Sequence, residues 1–328
     1  MKALFFFFRL LPPEVAHSVA LQGLTVFYRL NLINLFFANV QHDQPYIFKN
    51  ITFKNRLGVA AGLDKNGDFI DALGALGFGF IEVGTVTPMP QPGNPKPRIF
   101  RFKAQQALIN RLGFNNKGVD YLVNKIKDRN SDVILGVNIG ANKDSEGRKR
   151  IDDYVDCFTK VSPYADYITI NISSPNTLHL RSLHQRENFI PLFEALNIAR
   201  KKVKYVNPIL VKLSPDEAEE TILDIIQAIK DYAFDGVIVS NTTIDRTELN
   251  DMSGHDIAGG LSGRPLFNKS TDLLKKIHKH DQDLVKIGVG GVFNSKDYDE
   301  KLESGASLVQ IYTSFIYEGP QIVSKLLQ

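Results

Sequence analysis

Eight short apolar runs, each followed by a polar loop and then a helical stretch, constrain this chain more than any other feature. The runs are Leu57–Ala60, Phe80–Val86, Val133–Ile139, Tyr167–Ile170, Ile209–Leu213, Gly236–Val239, Val285–Val289 and Leu308–Tyr312. They are β-branched and continuous rather than alternating, the pattern of parallel strands buried on both faces. Eight β-then-α units in about 270 residues predict an α/β fold, a (β/α)8 TIM barrel. One helix is expected over about Gly67–Leu76. Another should follow Ser214-Pro215-Asp216-Glu217, with Ser as cap, Pro in the first turn and acids favouring the helix dipole. Upstream, residues 47–53 are expected to form a small hairpin plugging the barrel floor. A doubly wound sheet would need Gly-x-Gly-x-x-Gly after its first strand. Gly74, Gly77 and Gly79 have the wrong order and sit at a helix end, so the barrel is the better reading.

Composition narrows the function. A chain of 328 residues, 43% hydrophobic, can fill one core of this size. Lys plus Arg number 39 against 36 Asp plus Glu, a balance of +3 that does not point to nucleic acid. Arg148-Lys149-Arg150 reads as a solvated helix start. Cys157 is the only cysteine, which excludes an internal disulfide and a thiolate metal site and suits a reducing compartment. His278 and His280 are two apart, fall on different helix faces, and read as surface.

In a barrel the C-terminal ends of the strands face one mouth, where active sites lie. Those ends are residues 61–66, Gly84-Thr85, Asn138, residues 171–177, Lys212, Ser240-Asn241-Thr242, Gly290-Gly291 and Tyr312-Thr313. Nearly all are uncharged hydrogen-bonding groups, with Lys65 and Lys212 the two cations. No carboxylates or histidines converge, so no metal is expected. The run Asn171-Ile172-Ser173-Ser174-Pro175-Asn176-Thr177 combines two asparagines, three hydroxyls and a proline. Asn offers a donor and an acceptor side by side, which suits a flat polar heterocycle; the same residues also suit a plain turn. Gly288–Gly291 and Tyr312-Thr313 follow the seventh and eighth strands, where barrels often bind phosphate. Gly259-Gly260-Leu261-Ser262-Gly263 adds a glycine-rich approach. Together these favour a phosphorylated cofactor with a flat ring.

The first forty residues differ from the rest. Phe5-Phe6-Phe7-Phe8 is cut off by Arg9 and Pro12-Pro13, far short of the roughly 20 residues a spanning helix needs. Arg9 also stands inside what would be the apolar region of a signal peptide. After Pro13 two helical segments are expected. In the second, Leu24, Phe27, Tyr28, Leu32, Leu35 and Phe36 recur at helical spacing, while Val26, Leu30, Ile33 and Phe37 cover much of the other face. A soluble helix needs one apolar stripe, so the excess calls for protein, a partner or lipid. Lys2, Arg9 and Arg29 against Glu14 leave 3 − 1 = +2, which suits an anionic membrane surface. An N-terminal helical pair packed on its own domain is the alternative.

Residues 61–67, 84–88, 90–94, 110–116, 171–177, 211–215, 241–243, 259–266, 288–291 and 311–313 carry motifs in an order this chain shares with a known family. The chain resembles the class 2, membrane-associated, quinone-dependent dihydroorotate dehydrogenases over the whole barrel, and the N-terminal extension fits as well. The resemblance implies oxidation of (S)-dihydroorotate to orotate in pyrimidine synthesis, with FMN as cofactor and a membrane quinone, ubiquinone or menaquinone, as acceptor. It implies FMN contacts from Ala61, Gly62, Leu63, Asp64, Lys65, Thr85, Asn138, Asn171, Lys212, Ser240, Gly263, Gly290, Gly291, Tyr312 and Thr313. Substrate contacts are implied for Lys65, Asn110, Arg111, Leu112, Gly113, Phe114, Asn171, Asn176, Asn241 and Thr242. Ser240 stands where the family has threonine; both carry a hydroxyl.

The same resemblance makes Ser174 the catalytic base for the C5 proton, with Thr177 as a relay candidate. Lys212 is expected beside the flavin N1/O2 edge, stabilising negative charge on the reduced ring. Residues 1–40 are expected to form a helical membrane and quinone-access segment, and 41–328 the FMN barrel. A monomer on the cytoplasmic face of the inner membrane follows, with no nucleic-acid partner. Rival readings are a class 1 relative using fumarate or NAD, another FMN barrel such as a dihydrouridine synthase, and a non-catalytic flavin-binding scaffold. A hydrolase pairing Ser174 with His179 or His184 is a fourth, disfavoured by the lack of a nucleophile elbow.

Overall fold

The computed structural model describes residues 11–36, 45–176, 180–249 and 252–328. The chain opens with helices α1 (Pro13–Arg29) and α2 (Ile33–Phe36), then the antiparallel hairpin β1 (Tyr46–Phe48) and β2 (Ile51–Phe53). The barrel begins with β3 (Leu57–Val59), α3 (Ile70–Gly74) and β4 (Phe80–Val86). An excursion adds β5 (Ile99–Phe102) and β6 (Ala107–Asn110) before α4 (Val119–Lys127), β7 (Ile134–Ile139), α5 (Gly147–Val161) and β8 (Tyr167–Asn171). Next come α6 (Arg186–Val203), β9 (Ile209–Leu213), α7 (Glu219–Asp231) and β10 (Gly236–Val239). A second excursion carries β11 (Gly260–Gly263). The chain closes with α8 (Phe267–His280), β12 (Val285–Val289), α9 (Ser295–Glu303), β13 (Leu308–Ile311), α10 (Thr313–Glu318) and α11 (Ile322–Leu326).

Strands β3, β4, β7, β8, β9, β10, β12 and β13 pair in parallel in that circular order and close into a barrel. All eight expected strands are present, their ends within one residue of the sequence reading. Alternation sends every second side chain inward, and the interior is layered. At the floor Phe80, Tyr167, Leu210, Ile238, Ile287 and Leu308 pack together, with Phe53 of the hairpin against Phe80 at 5.5 Å between rings. Gly58 and Gly136 make this possible, because a Cβ at either would strike the Phe80 or Tyr167 ring at 2.5 or 2.0 Å. Each such buried side chain contributes about 1.5–3 kcal/mol. One layer up, polar side chains take over: Glu82, Asn138, Thr169, Lys212 and Gln310, all buried.

Three expectations need correction. Ser214 does not cap a helix at Pro215; its hydroxyl accepts the Asp216 N–H at 3.2 Å in a local turn, and the helix starts at Glu219. A serine can satisfy a turn as readily as a helix end. After Pro13 the two helices are α1, of 17 residues, and α2, of four, and Leu24, Phe27 and Tyr28 lie on the first rather than the second. Arg150 is buried and donates to Ser145 O at 2.9 Å, so the basic cluster is only partly solvated. The glycine-rich approach lies in β11, which pairs with β6, and β6 with β5, in a three-stranded antiparallel sheet that borders the mouth.

Candidate active site

Above the polar layer the strand ends enclose a cleft of about 970 Å³, part of it open to solvent. Every residue of the expected site borders this one cavity except Leu63, Asp64, Arg111 and Asn138. Leu63 is 2% exposed in the core. Asp64 turns away and accepts the backbone N–H groups of Asn66, Asp68 and Phe69 at 3.3, 3.0 and 2.7 Å, folding the loop that presents Lys65; burial pushes its carboxyl up to about 6. Arg111 donates to Pro97 O at 3.1 and 2.9 Å and lies over the Phe100 ring. Asn138 sits one layer down. Thr177 and His179 lie outside the described residues.

A chain of amides orders the mouth from below. Glu82 accepts hydrogen bonds from Asn138 (2.8 Å), Gln310 (2.9 Å), Tyr167 (3.0 Å) and Thr169 (3.2 Å). With its Nδ2 committed to Glu82, Asn138 offers Oδ1 upward, where it accepts from Thr85 at 2.5 Å and from Asn171 Nδ2 at 3.2 Å. The direction of each amide is thus set by a buried carboxylate. Asn171 Oδ1 in turn accepts the hydroxyl and N–H of Ser173, both at 3.2 Å, and Ser173 Oγ accepts Asn241 Nδ2 at 2.9 Å.

A second amide group closes the other wall. Asn176 Nδ2 donates to Asn110 Oδ1 at 3.1 Å, and Asn94 Nδ2 bridges Arg111 O and Asn176 O at 3.0 Å each. Asn176 Oδ1 is buried without a partner among the described residues. Ser174 is 5% exposed, and its Oγ accepts the Asn176 N–H at 3.2 Å.

The two lysines differ. Lys65 Nζ donates to Gly62 O at 3.1 Å; burial and then the nearby Arg98 hold its ammonium down, at about 8. Lys212 is buried and makes no hydrogen bond or ion pair among the described residues, and burial holds its ammonium below the ordinary value while Glu82 opposes that shift. A buried cation with no partner is costly unless a ligand supplies one. At the far end Gly291 is buried, has φ 76°, and its N–H finds no acceptor among the described residues. An amide and an ammonium with no partner among the described residues, beside the wall formed by Ala60, Leu266 and Val289, suit a flat, phosphorylated heterocycle.

Helix α1 stands beside the same mouth. Glu14 pairs with Arg98 and acts electrostatically on His17, Lys65 and Tyr312. Burial, then Lys65, lower the His17 imidazole to about 4. Val15, Val19, Val26 and Leu30 of this segment are 43–61% exposed.

Glu82, Gln310, Ser173 and Asn94 were not singled out by role in the sequence. The signal for Glu82 was present: an acid within Phe80-Ile81-Glu82-Val83 on the inward parity of a barrel strand has to be bonded inside. His184 is held by Glu217 at 3.2 Å, and no contact joins it to Ser174 among the described residues. No group of His, Cys, Asp or Glu suited to a metal is present among them.

The family model described as "Dihydroorotate dehydrogenase" matches residues 46–328. A protein of Saccharophagus degradans named "Dihydroorotate dehydrogenase (quinone)" is 46% identical over 321 residues, 96% of this chain and 94% of the relative. One of Cronobacter sakazakii with the same name is 47% identical over 323 residues, covering 97% and 96%. The solved ligand-free DHODH of Eimeria tenella superposes with a TM-score of 0.87 at 35% identity, covering 96% of this chain and 93% of that one.

Proposed function

Because the chain belongs to the dihydroorotate dehydrogenase family, and to its quinone-dependent class, we propose that the mouth holds FMN beside the substrate and that Ser174 is the base. The protein is an oxidoreductase that oxidises dihydroorotate to orotate, with quinone as acceptor, in pyrimidine biosynthesis. The observation that carries the site reading is the buried Lys212, without a partner among the described residues, in one cleft with Ser174 and four asparagines.

FMN, when bound, would supply the acceptor for the C6 hydride of dihydroorotate and the relay of its electrons to quinone. The residues around it do the rest. Ser174 removes the C5 proton; the Asn176 N–H on its Oγ stabilises the charge that grows there as the proton leaves. Asn110, Asn171, Asn176 and Asn241 hold the substrate ring; Asn171 and Asn241 are already aligned by the Glu82 and Ser173 networks and Asn110 and Asn176 by each other, so little reorganisation remains. Lys65 neutralises the substrate carboxylate. Lys212 would supply positive charge to the flavin, favouring its reduced, anionic form. Ala61, Gly62, Ser240, Gly263, Tyr312 and Thr313 complete the cofactor wall, while Leu112, Gly113, Phe114 and Thr242 close over the substrate.

Residues 1–40 form the quinone-access segment and 41–328 the FMN barrel. No helix among the described residues is long and apolar enough to cross a membrane. The exposed valines and Leu30 of the N-terminal segment suit an interfacial attachment, as a monomer peripheral to the cytoplasmic face of the inner membrane.

The test is anaerobic. L-dihydroorotate should bleach the yellow protein, and ubiquinone or menaquinone, but not fumarate or NAD, should restore the colour. A colourless protein, or a flavin that dihydroorotate leaves oxidised, would overturn the reading.

A further inference from the structure

Lys301 lies on the far side of the Gly290–Gly291 loop from the cleft. It sits on α9, is 0% exposed, and has no carboxylate at ion-pair distance among the described residues. Its ammonium donates to Ser270 Oγ at 2.6 Å and rests 4.9 Å from the centre of the Phe267 ring. Ser270 Oγ in turn shares its one proton between Phe267 O at 3.1 Å and Gly290 O at 3.4 Å, and a Cβ on Gly290 would strike that hydroxyl at 2.7 Å. Burial lowers the Lys301 ammonium to about 7, the mark of a cation left without full compensation inside the fold.

The peptide plane links this cation to the mouth. In a trans peptide the C=O of one residue and the N–H of the next point in opposite directions. With Gly290 O drawn back toward Ser270, the Gly291 N–H, which has no acceptor among the described residues, is directed away from Ser270, toward the cleft that Gly290 and Gly291 line. The N-terminus of α8, beginning at Phe267, adds its own positive end behind the same loop.

We propose that Lys301 is a positioning residue for the cofactor phosphate: it supplies a buried positive charge through Ser270 and the Gly290–Gly291 peptide without touching the ligand. This rests on the FMN reading and assigns which part of FMN this corner recognises. It predicts selectivity for the phosphorylated flavin, because riboflavin has the same ring and no phosphate. A charge a few residues away in a medium of effective dielectric near 20 changes dianion affinity by roughly tens of fold.

The test compares FMN with riboflavin. Flavin release on dilution of the holoprotein, and rebinding of each flavin, are followed by fluorescence in wild type, Lys301→Met and Ser270→Ala. Lys301→Met is expected to cut the FMN-over-riboflavin preference about 30-fold, with riboflavin affinity within twofold of wild type. Ser270→Ala keeps the ammonium, removes only the bridge, and is expected to lose a smaller part of the preference. Equal weakening of both flavins in Lys301→Met would mean a merely structural lysine, and the inference would be wrong. Should Lys301→Met not fold, an unchanged ratio in Ser270→Ala would overturn it as well. A wild-type protein without FMN would bring down the cofactor reading and this inference with it.

Discussion

Glu14 on α1 and Arg98, one residue ahead of β5, form a two-pronged ion pair: Nε to Oε1 and Nη2 to Oε2, each 3.0 Å. Arg98 also donates to Pro92 O at 2.6 Å and Asn94 O at 3.1 Å, so the fork that grips the N-terminal helix is anchored in the loop whose Asn94 holds Asn176. The pair couples the N-terminal segment to the substrate wall.

Glu14→Ala removes the acceptor and leaves a mostly buried guanidinium short of a partner. A cost of about 1–3 kcal/mol falls on the attachment of the N-terminal helix rather than on the barrel. Hydrogen exchange in residues 13–29 should rise at least tenfold. Bleaching by dihydroorotate should stay near wild type while reoxidation by quinone slows; quinone reoxidation as fast in Glu14→Ala as in wild type would contradict the coupling.

Val19 and Val26 are exposed on α1, at 43% and 52%. Replacing both with Glu puts charge where the helix would meet lipid, without disturbing its buried residues Ala16, Leu21 and Leu24. Sedimentation with anionic vesicles should fall at least fivefold, with bleaching unchanged. Wild-type sedimentation would argue that some other surface meets the membrane.

Ser174→Ala deletes the proposed base and one small acceptor, leaving the Glu82 network whole. Stopped-flow reduction by dihydroorotate should slow by about 10³-fold or more with FMN still bound. Reduction within tenfold of wild type would reassign the base.

Lys65 yields a pH prediction. Its ammonium, lowered to about 8, is present below that pH and lost above it, and a bound carboxylate raises the value again. Substrate affinity therefore weakens as pH rises. In kcat/KM the free-protein value governs, so the profile should fall about tenfold per unit above pH ~8. Lys65→Met should be slow and flat over the same window; a wild-type profile level to pH 9.5 would rule out a carboxylate role for this lysine.

Glu82→Ala strands four donors, from Asn138, Tyr167, Thr169 and Gln310, in a site with 0% exposure. The loss is on the order of 4 kcal/mol, and a Tm decrease of about 10 °C follows for a domain of this size. Calorimetry decides this, and FMN retention should suffer with it, since Asn138 and Asn171 lose the partner that orients them.

The barrel was legible because its cause is local. Continuous β-branched runs have one stable arrangement when helical stretches separate them, and each strand end then falls at the mouth by topology alone. So the chemistry of the end residues, from Lys65 through Asn171 and Lys212 to Gly291, was readable before any coordinate. The Ser214 cap misled because a serine hydroxyl satisfies a turn or a helix start equally well.

Tertiary structure decided the rest. Which way an amide faces depends on partners distant in sequence: Asn138 is turned by Glu82, 56 residues away, and Asn94 reaches Asn176 across 82. The three-stranded sheet joins segments more than a hundred residues apart, Gly260 facing Asn110, and no periodicity announces such a pairing. Whether Lys212 and Lys301 are paired or bare is likewise a matter of packing. A sequence lists donors, acceptors and charges; only the closed fold decides which of them are already spent on each other and which are left for a ligand.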